Sequence, residues 1–320
     1  MVSDKNKTVK KQLKKGKMME YILETYNLTK MYGKKKALDN VSIHVQKGDV
    51  YGLVGKNGAG KTTLMKIVGG LANASSGTYT FMGRPDGKLG DAVTKRGLLI
   101  EDPGILEGET AYENILIKEI VLGVKDKNET LNLLEMVGLK DDAYKKVKKY
   151  SFGMKQRLGM ALAFVGNPEF VILDEPINGF DPQGINAIRE LIKEKNKAGT
   201  TFFISSHILT ELSKIATKYG FINEGKIIEE STEQELLDKC KSRIELITDN
   251  ATKAVTILEK TGFKDYKVKE NEVINIYEQL ERTGEITKAL ADEGVGTIEI
   301  VRKYEELEDY YMKLIGGNAQ

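Results

Sequence analysis

The sequence predicts an α/β fold built on a mostly parallel sheet, and three observations carry that prediction. A short apolar run, Val50-Tyr51-Gly52-Leu53-Val54, feeds the glycine-rich stretch Gly55–Thr62, and Thr63-Leu64-Met65-Lys66-Ile67-Val68 follows with helical apolar spacing. A second run, Phe170-Val171-Ile172-Leu173, is closed by Asp174-Glu175-Pro176. An apolar run this short, ended by proline, reads as a strand buried on both faces. A third, Thr201–His207, ends in the polar triplet Ser205-Ser206-His207. Carboxylates and a histidine therefore gather at strand C-termini, the edge where open α/β sheets bind ligands.

The remaining elements follow in order. Tyr21–Thr25 alternates loosely and reads as a strand, as does Ala37–Val45, with Lys47-Gly48-Asp49 turning into the strand at 50–54. Thr78–Met82 is a strand ending at the Gly83-Arg84-Pro85 turn, and Arg96–Ile100 is another. Ala111, Ile115, Leu116 and Ile120, then Leu131, Leu134 and Met136, recur at helical spacing, so a compact helical insert is expected at about 105–165. Ser151 and Gly153 open a helix running through Phe164 that stops at Gly166-Asn167-Pro168. Asn178-Gly179-Phe180-Asp181-Pro182 is a tight turn into a helix through Leu191. Phe221–Glu230 is a closing hairpin, and a helix from Thr232 to about Lys239 ends the first domain, expected at 19–239. Residues 240–320 run β-α-β-β-α-β-α and predict a small C-terminal α+β accessory domain. It carries no catalytic constellation, so its plain readings are dimerisation or regulation.

Composition bounds the function. The 320 residues, 40% hydrophobic and 30% charged, describe an ordinary globular chain long enough for two domains. No apolar run approaches the roughly 20 residues that span a bilayer. The single cysteine, Cys240, allows no internal disulfide and suits a reducing cytoplasm. The net charge of +2 hides +6 on residues 1–17, leaving −4 on the rest. The mildly acidic body argues against a broad nucleic-acid surface, and residues 1–18 are expected as a basic, disordered, solvated leader.

Gly55-Lys56-Asn57-Gly58-Ala59-Gly60-Lys61-Thr62 fits G-x-x-x-x-G-K-[ST] between a strand and a helix. Glycines let main-chain N–H groups wrap phosphate oxygens, and the helix N-terminus adds a positive dipole end. Lys61 reaches the β- and γ-phosphates; the Thr62 hydroxyl binds Mg²⁺. Asp174 is placed to hold Mg²⁺ through its water shell, and Glu175 to polarise water attacking a γ-phosphate. His207 is placed to hydrogen-bond the γ-phosphate or that water. Tyr32, before a turn, either stacks on a base or packs. Ser151 either binds an anion at a helix start or simply caps its own helix. His44 has no nearby partner in the sequence and receives no role.

Tyr32, the phosphate loop, Ser151-Phe152-Gly153-Met154, Leu173-Asp174-Glu175-Pro176, the Gly179-Phe180-Asp181 turn and His207 occur in one order. In that order they resemble the ATP-binding subunit of an ABC transporter, across roughly residues 19–236. The resemblance implies a P-loop NTPase core with an antiparallel β-subdomain and helical insert. It implies ATP and Mg²⁺ as cofactors, an integral membrane permease as partner, and a cytoplasmic place on the inner face of the cell membrane. It also implies a head-to-tail homodimer, each ATP held by Tyr32, Gly55–Thr62 and Thr63 of one copy and by Ser151, Gly153 and Met154 of the other. Asp181 would cross that interface, and His207 would sense the γ-phosphate. The signature segment departs from the usual Leu-Ser-Gly-Gly-Gln, and Glu101 stands where a Mg²⁺-approaching glutamine is usual. A glutamate can still ligate Mg²⁺. Leu99-Ile100-Glu101, Thr110–Asn114 and Ser151–Leu158 together are similar to the bacitracin- and lantibiotic-type export and self-protection subunits of Gram-positive bacteria, where Glu101 is an expected variant. No nucleic-acid partner is expected. The rival reading, a soluble ABC-type ATPase remodelling ribosomes or DNA, usually brings two cassettes or long coiled-coil arms, and this chain has one cassette and no sustained heptads.

Overall fold

The computed structural model describes residues 21–124, 128–178, 180–240, 242–269, 272–303 and 307–316. The expected leader 1–18, Gly179 of the tight turn, the Glu270-Asn271 connection and Tyr304 lie outside the described residues. The chain divides into two compact units between Ser231 and Thr232.

The first unit opens with β1 (Tyr21–Tyr32), longer than the expected Tyr21–Thr25. The strand expected over 37–45 is two strands, β2 (Lys35–Val41) and β3 (His44–Gln46), which pair antiparallel with opposite halves of β1. A buried hydroxyl causes the break. Thr25 Oγ1 donates to Val41 O at 3.2 Å and accepts from Ile43 N at 2.9 Å, while Thr25 N donates to Ile43 O at 3.0 Å, so a side chain interrupts the ladder there. The sheet is completed by β5 (Ser76–Phe81) and β6 (Arg84–Pro85), in the order β2-β1-β5-β6 with β3 on β1.

The central sheet has the order β11-β10-β4-β9-β8-β7. Its strands are β4 (Val50–Val54), β7 (Arg96–Leu99), β8 (Phe170–Asp174), β9 (Thr201–Ser206), β10 (Lys218–Asn223) and β11 (Lys226–Thr232). From β10 through β7 every neighbouring pair is parallel. All residues of β4, β8 and β9 are buried, which is why those segments read as continuous apolar runs. α1 (Lys61–Val68) follows β4. The helical insert supplies α2 (Ala111–Leu122), α3 (Glu129–Met136) and α4 (Phe152–Phe164). α5 (Pro182–Lys197) runs six residues past the expected Leu191, because its last turns are polar and carry no apolar repeat. α6 (Leu209–Leu212) is a single turn. Among the described residues no helix is long and apolar enough to cross a membrane.

His44 does have a partner, supplied by a residue 186 positions away. Its Nδ1 lies 2.8 Å from Glu230 Oε2, while Tyr51 Oη donates to Glu230 Oε1 at 2.9 Å. Burial pushes the Tyr51 hydroxyl well above its ordinary range, with the Glu230 charge adding to it.

The second unit begins with α7 (Glu233–Lys239). β12 (Arg243–Thr248), α8 (Ala251–Lys260), β13 (Tyr266–Val268), β14 (Val273–Ile276), α9 (Thr283–Asp292) and β15 (Thr297–Lys303) follow, then α10 (Leu307–Gly316). The order β13-β14-β12-β15, antiparallel throughout, is the split β-α-β ferredoxin-like arrangement. Ile244 and Leu246 of β12 and Ile274 and Ile276 of β14 pack with Ala254, Leu258, Ile286 and Leu290 in a core of their own.

Candidate nucleotide site

The loop Gly55–Thr62 joins β4 to α1, and its glycines are structural necessities. Gly60 precedes the helix at φ 113°, and a Cβ there would sit 2.7 Å from Ala37 O. Lys61, 6% exposed, folds back under the loop. Its Nζ donates to Gly55 O at 2.7 Å and to Lys56 O at 3.3 Å, and stands 3.1 Å from Glu175 Oε1. A buried ammonium needs such partners, and Glu175 supplies the negative one.

Thr62 Oγ1 donates to Asp174 Oδ2 at 2.7 Å. Ser205 Oγ donates to Asp174 Oδ1 at 2.5 Å and accepts from Glu175 N at 2.9 Å. One hydroxyl at the end of β9 thus holds both acids at the end of β8. Glu175 sits at φ 49°, a left-handed backbone that costs a glutamate about 1–2 kcal/mol. His207 Nδ1 lies 2.8 Å from Glu175 Oε2.

Two cavities meet at Glu175. The first, about 480 Å³, is lined by Tyr32, Lys35, Lys36, Ala37, Asn57, Gly58, Gly60, Lys61, Thr62, Thr63, Glu175, Glu224 and Gly225. Tyr32 is half exposed, with Lys30 Nζ 5.1 Å from its ring centroid. Lys36 is drawn to Asp39 at 2.9 Å; this hydrogen bond is the main cause holding the Asp39 carboxyl below the usual carboxylate range. The second cavity, about 690 Å³, is lined by Glu101, Asp102, Pro103, Ile105, Glu107, Phe152, Lys155, Gln156, Asp174, Glu175 and Asn178.

Of the residues singled out from sequence, Tyr32 and the phosphate loop share the first cavity with Glu175. Gly55 and Ala59 are buried in the loop behind it and Lys56 is exposed. Asp174 and Glu101 share the second. Glu101 points to helix α1, its Oε2 2.6 Å from Lys66 Nζ. Ser151, Gly153, Met154 and Asp181 line neither cavity. Ser151 Oγ accepts from Met154 N at 3.3 Å and caps α4, and Asp181 Oδ1 accepts from Gly184 N at 2.8 Å and caps α5. Sequence reasoning missed the role of Ser205, whose only signal is its polar type at a strand end. It also missed Lys35, Lys36 and Gly225, which reach the cavity from hairpins remote in sequence.

The donors near Lys61 fit Mg²⁺: the Thr62 hydroxyl and Asp174 carboxylate are hard oxygen ligands. Among the described residues no three His, Cys, Asp or Glu side chains cluster as a metal cage. One carboxylate, one hydroxyl and phosphate oxygens are how Mg²⁺ is commonly held with nucleotides.

Residues 38–178 match the family model described as ABC transporter. The chain is 40% identical over 307 residues to the bacitracin transport ATP-binding protein BcrA of Bacillus licheniformis, covering 94% of this chain and 99% of that one. It is 45% identical over 207 residues to the lantibiotic transport ATP-binding protein SrtF of Streptococcus pyogenes, covering 65% and 89%. A solved ATP-binding cassette of an ABC transporter, in its ADP conformation, is 29% identical with a TM-score of 0.58, over 68% of this chain and 95% of that one. With the phosphate loop, the acidic strand end and the helical insert in place, the chain belongs to the ATP-binding subunits of ABC transporters.

Proposed function

We propose that this chain binds and hydrolyses Mg·ATP to drive a separate integral membrane permease, exporting peptide antibiotics of the bacitracin or lantibiotic type and so protecting its host. The observation that carries the ATPase reading is the convergence of Lys61, Thr62, Asp174 and Glu175 where two cavities meet. The full-length likeness to bacitracin transport proteins supports the substrate class and the branch.

The mechanism follows from displacement. Tyr32 offers an exposed ring for adenine, and the loop N–H groups and Lys61 receive the β- and γ-phosphates. The γ-phosphate takes Glu175's place on Lys61. Mg²⁺, held by Thr62 and Asp174 and completed by Glu101, would supply charge neutralisation across the phosphates. Glu175, freed from Lys61 but still held by Ser205 and positioned by His207, then polarises the attacking water. Ser151, Gly153 and Met154 act on the nucleotide of a second, head-to-tail copy, and Asp181 lies across that interface. The chain works in the cytoplasm, on the inner face of the membrane; the domain 240–320 is accessory to it.

The test is affinity capture of the tagged chain from mild detergent extracts of its native cells, with captured chains identified by mass. A polytopic membrane protein in near-equal amount is the expected result. Ribosomal or DNA-repair components without a membrane chain would overturn the transporter reading.

A further inference from the structure

Glu101 brings a carboxylate to a cavity wall that also carries Asp102, Glu107, Asp174 and Glu175; Asp102 accepts from Gly104 N and Glu107 pairs with Lys155. Like charges so placed repel, and each needs a counter-charge or donor of its own. Asp174 has the Thr62 and Ser205 hydroxyls, and Glu175 has Lys61 and His207. Glu101 has Lys66, with Nζ 2.6 Å from Oε2. The pair is lopsided in a useful way. Lys66 belongs to the last turn of α1, the helix whose first turn carries Lys61 and Thr62. Glu101 lies just beyond the end of β7 with a left-handed backbone, φ 54°. An ion pair thus ties the end of β7 to the phosphate-binding helix. The side chains are 31% and 57% exposed, and ion pairs so exposed are weak and readily exchanged.

We propose that Lys66 is a positioning residue for Glu101. It parks this carboxylate against α1 in the resting chain and releases it when Mg²⁺ and nucleotide fill the Thr62–Asp174 corner. The inference rests on the nucleotide-site reading above and adds to it the residue that sets when Glu101 is available. It also accounts for a glutamate on a wall with four other acids: Lys66 neutralises the Glu101 charge until the cation arrives.

The experiment is a Mg²⁺ titration of binding, not turnover. The purified full chain is mixed with a fluorescent trinitrophenyl analogue of ATP, and the Mg²⁺ concentration at half-saturation is read. Wild type, Lys66→Gln, Glu101→Gln and the double variant are compared, with Lys66→Arg as the charge-conserving control. Lys66→Gln should lower the half-saturating Mg²⁺ about threefold or more, because Glu101 is no longer tethered. In the Glu101→Gln background the same substitution should change it little, and Lys66→Arg should behave as wild type. An equal shift in both backgrounds would show a general charge effect and overturn the proposal, as would no shift in either. If the wild-type chain binds no analogue with Mg²⁺, the nucleotide reading itself fails and the proposal falls with it.

Discussion

Ser205 joins the two acids of the site through one buried hydroxyl, donating to Asp174 and accepting from the Glu175 amide. Ser205→Ala would leave a buried N–H and a carboxylate oxygen each one partner short, a loss of about 1–3 kcal/mol. A lower melting temperature together with weaker Mg²⁺-dependent nucleotide binding is expected, and unchanged values for both would remove Ser205 from the site. Glu175→Gln keeps the shape and loses the base, so turnover should fall at least about 100-fold while ATP binding survives. Normal turnover in that variant, measured as phosphate release, would take Glu175 out of the mechanism. Lys61→Ala should abolish nucleotide binding, since nothing else described in the loop offers a buried cation; unchanged affinity would count against the phosphate-loop assignment.

Elements depend on how their ends are closed. Helix α2 opens with a capping box: Glu113 N donates to Thr110 Oγ1 at 3.1 Å, and Thr110 N donates to Glu113 Oε2 at 2.7 Å. That backbone N–H, with the Thr110 hydroxyl after it, holds the Glu113 carboxyl below the usual carboxylate range. A depressed carboxylate stabilises the fold above its unfolded value and loses that contribution as pH falls through its folded value. Thr110→Ala removes the N-cap hydroxyl and should lower stability at neutral pH; because that hydroxyl also helps hold Glu113 ionised, the gap from wild type in denaturant melts should narrow in acid. How much of this was legible in sequence varied with what decides each element. Buried parallel strands announce themselves, because both faces must be apolar. So did the β-α-β-β-α-β order of the second unit, since each short element has its own period. The break at Ser42-Ile43 did not, because its cause is the Thr25 hydroxyl 18 residues upstream of Ile43. Lys61 stood out from the spacing of one loop, and Asp174 and Glu175 from the end of a separate apolar run. The hairpin residues that wall the cavity, and the Lys66 partner of Glu101, became apparent only when distant segments were placed side by side.

In the whole molecule, two apolar clusters with no residue in common support two compact units. The functional assembly proposed needs a second copy, on whose nucleotide Ser151 and Gly153 would act. Glu175→Gln with Mg·ATP should thus elute at twice the monomer mass in size-exclusion chromatography. Adding Gly153→Glu, which places a carboxylate at the helix start that would meet phosphate, should return it to monomer; a dimer that persists would place the contact elsewhere. The ion pair between Lys61 and Glu175 has a consequence for what the molecule can be switched by. Lys61 and Glu175, 3.1 Å apart, largely cancel each other's charge, so the pair exerts little pull on small anions. A ligand is retained only if its charge, spread over the loop and the cation, outweighs the carboxylate it must push aside. Orthophosphate carries no base for Tyr32 and no chain of phosphates for the loop. On the proposed reading, the intact triphosphate should displace Glu175 from Lys61 more readily than orthophosphate does.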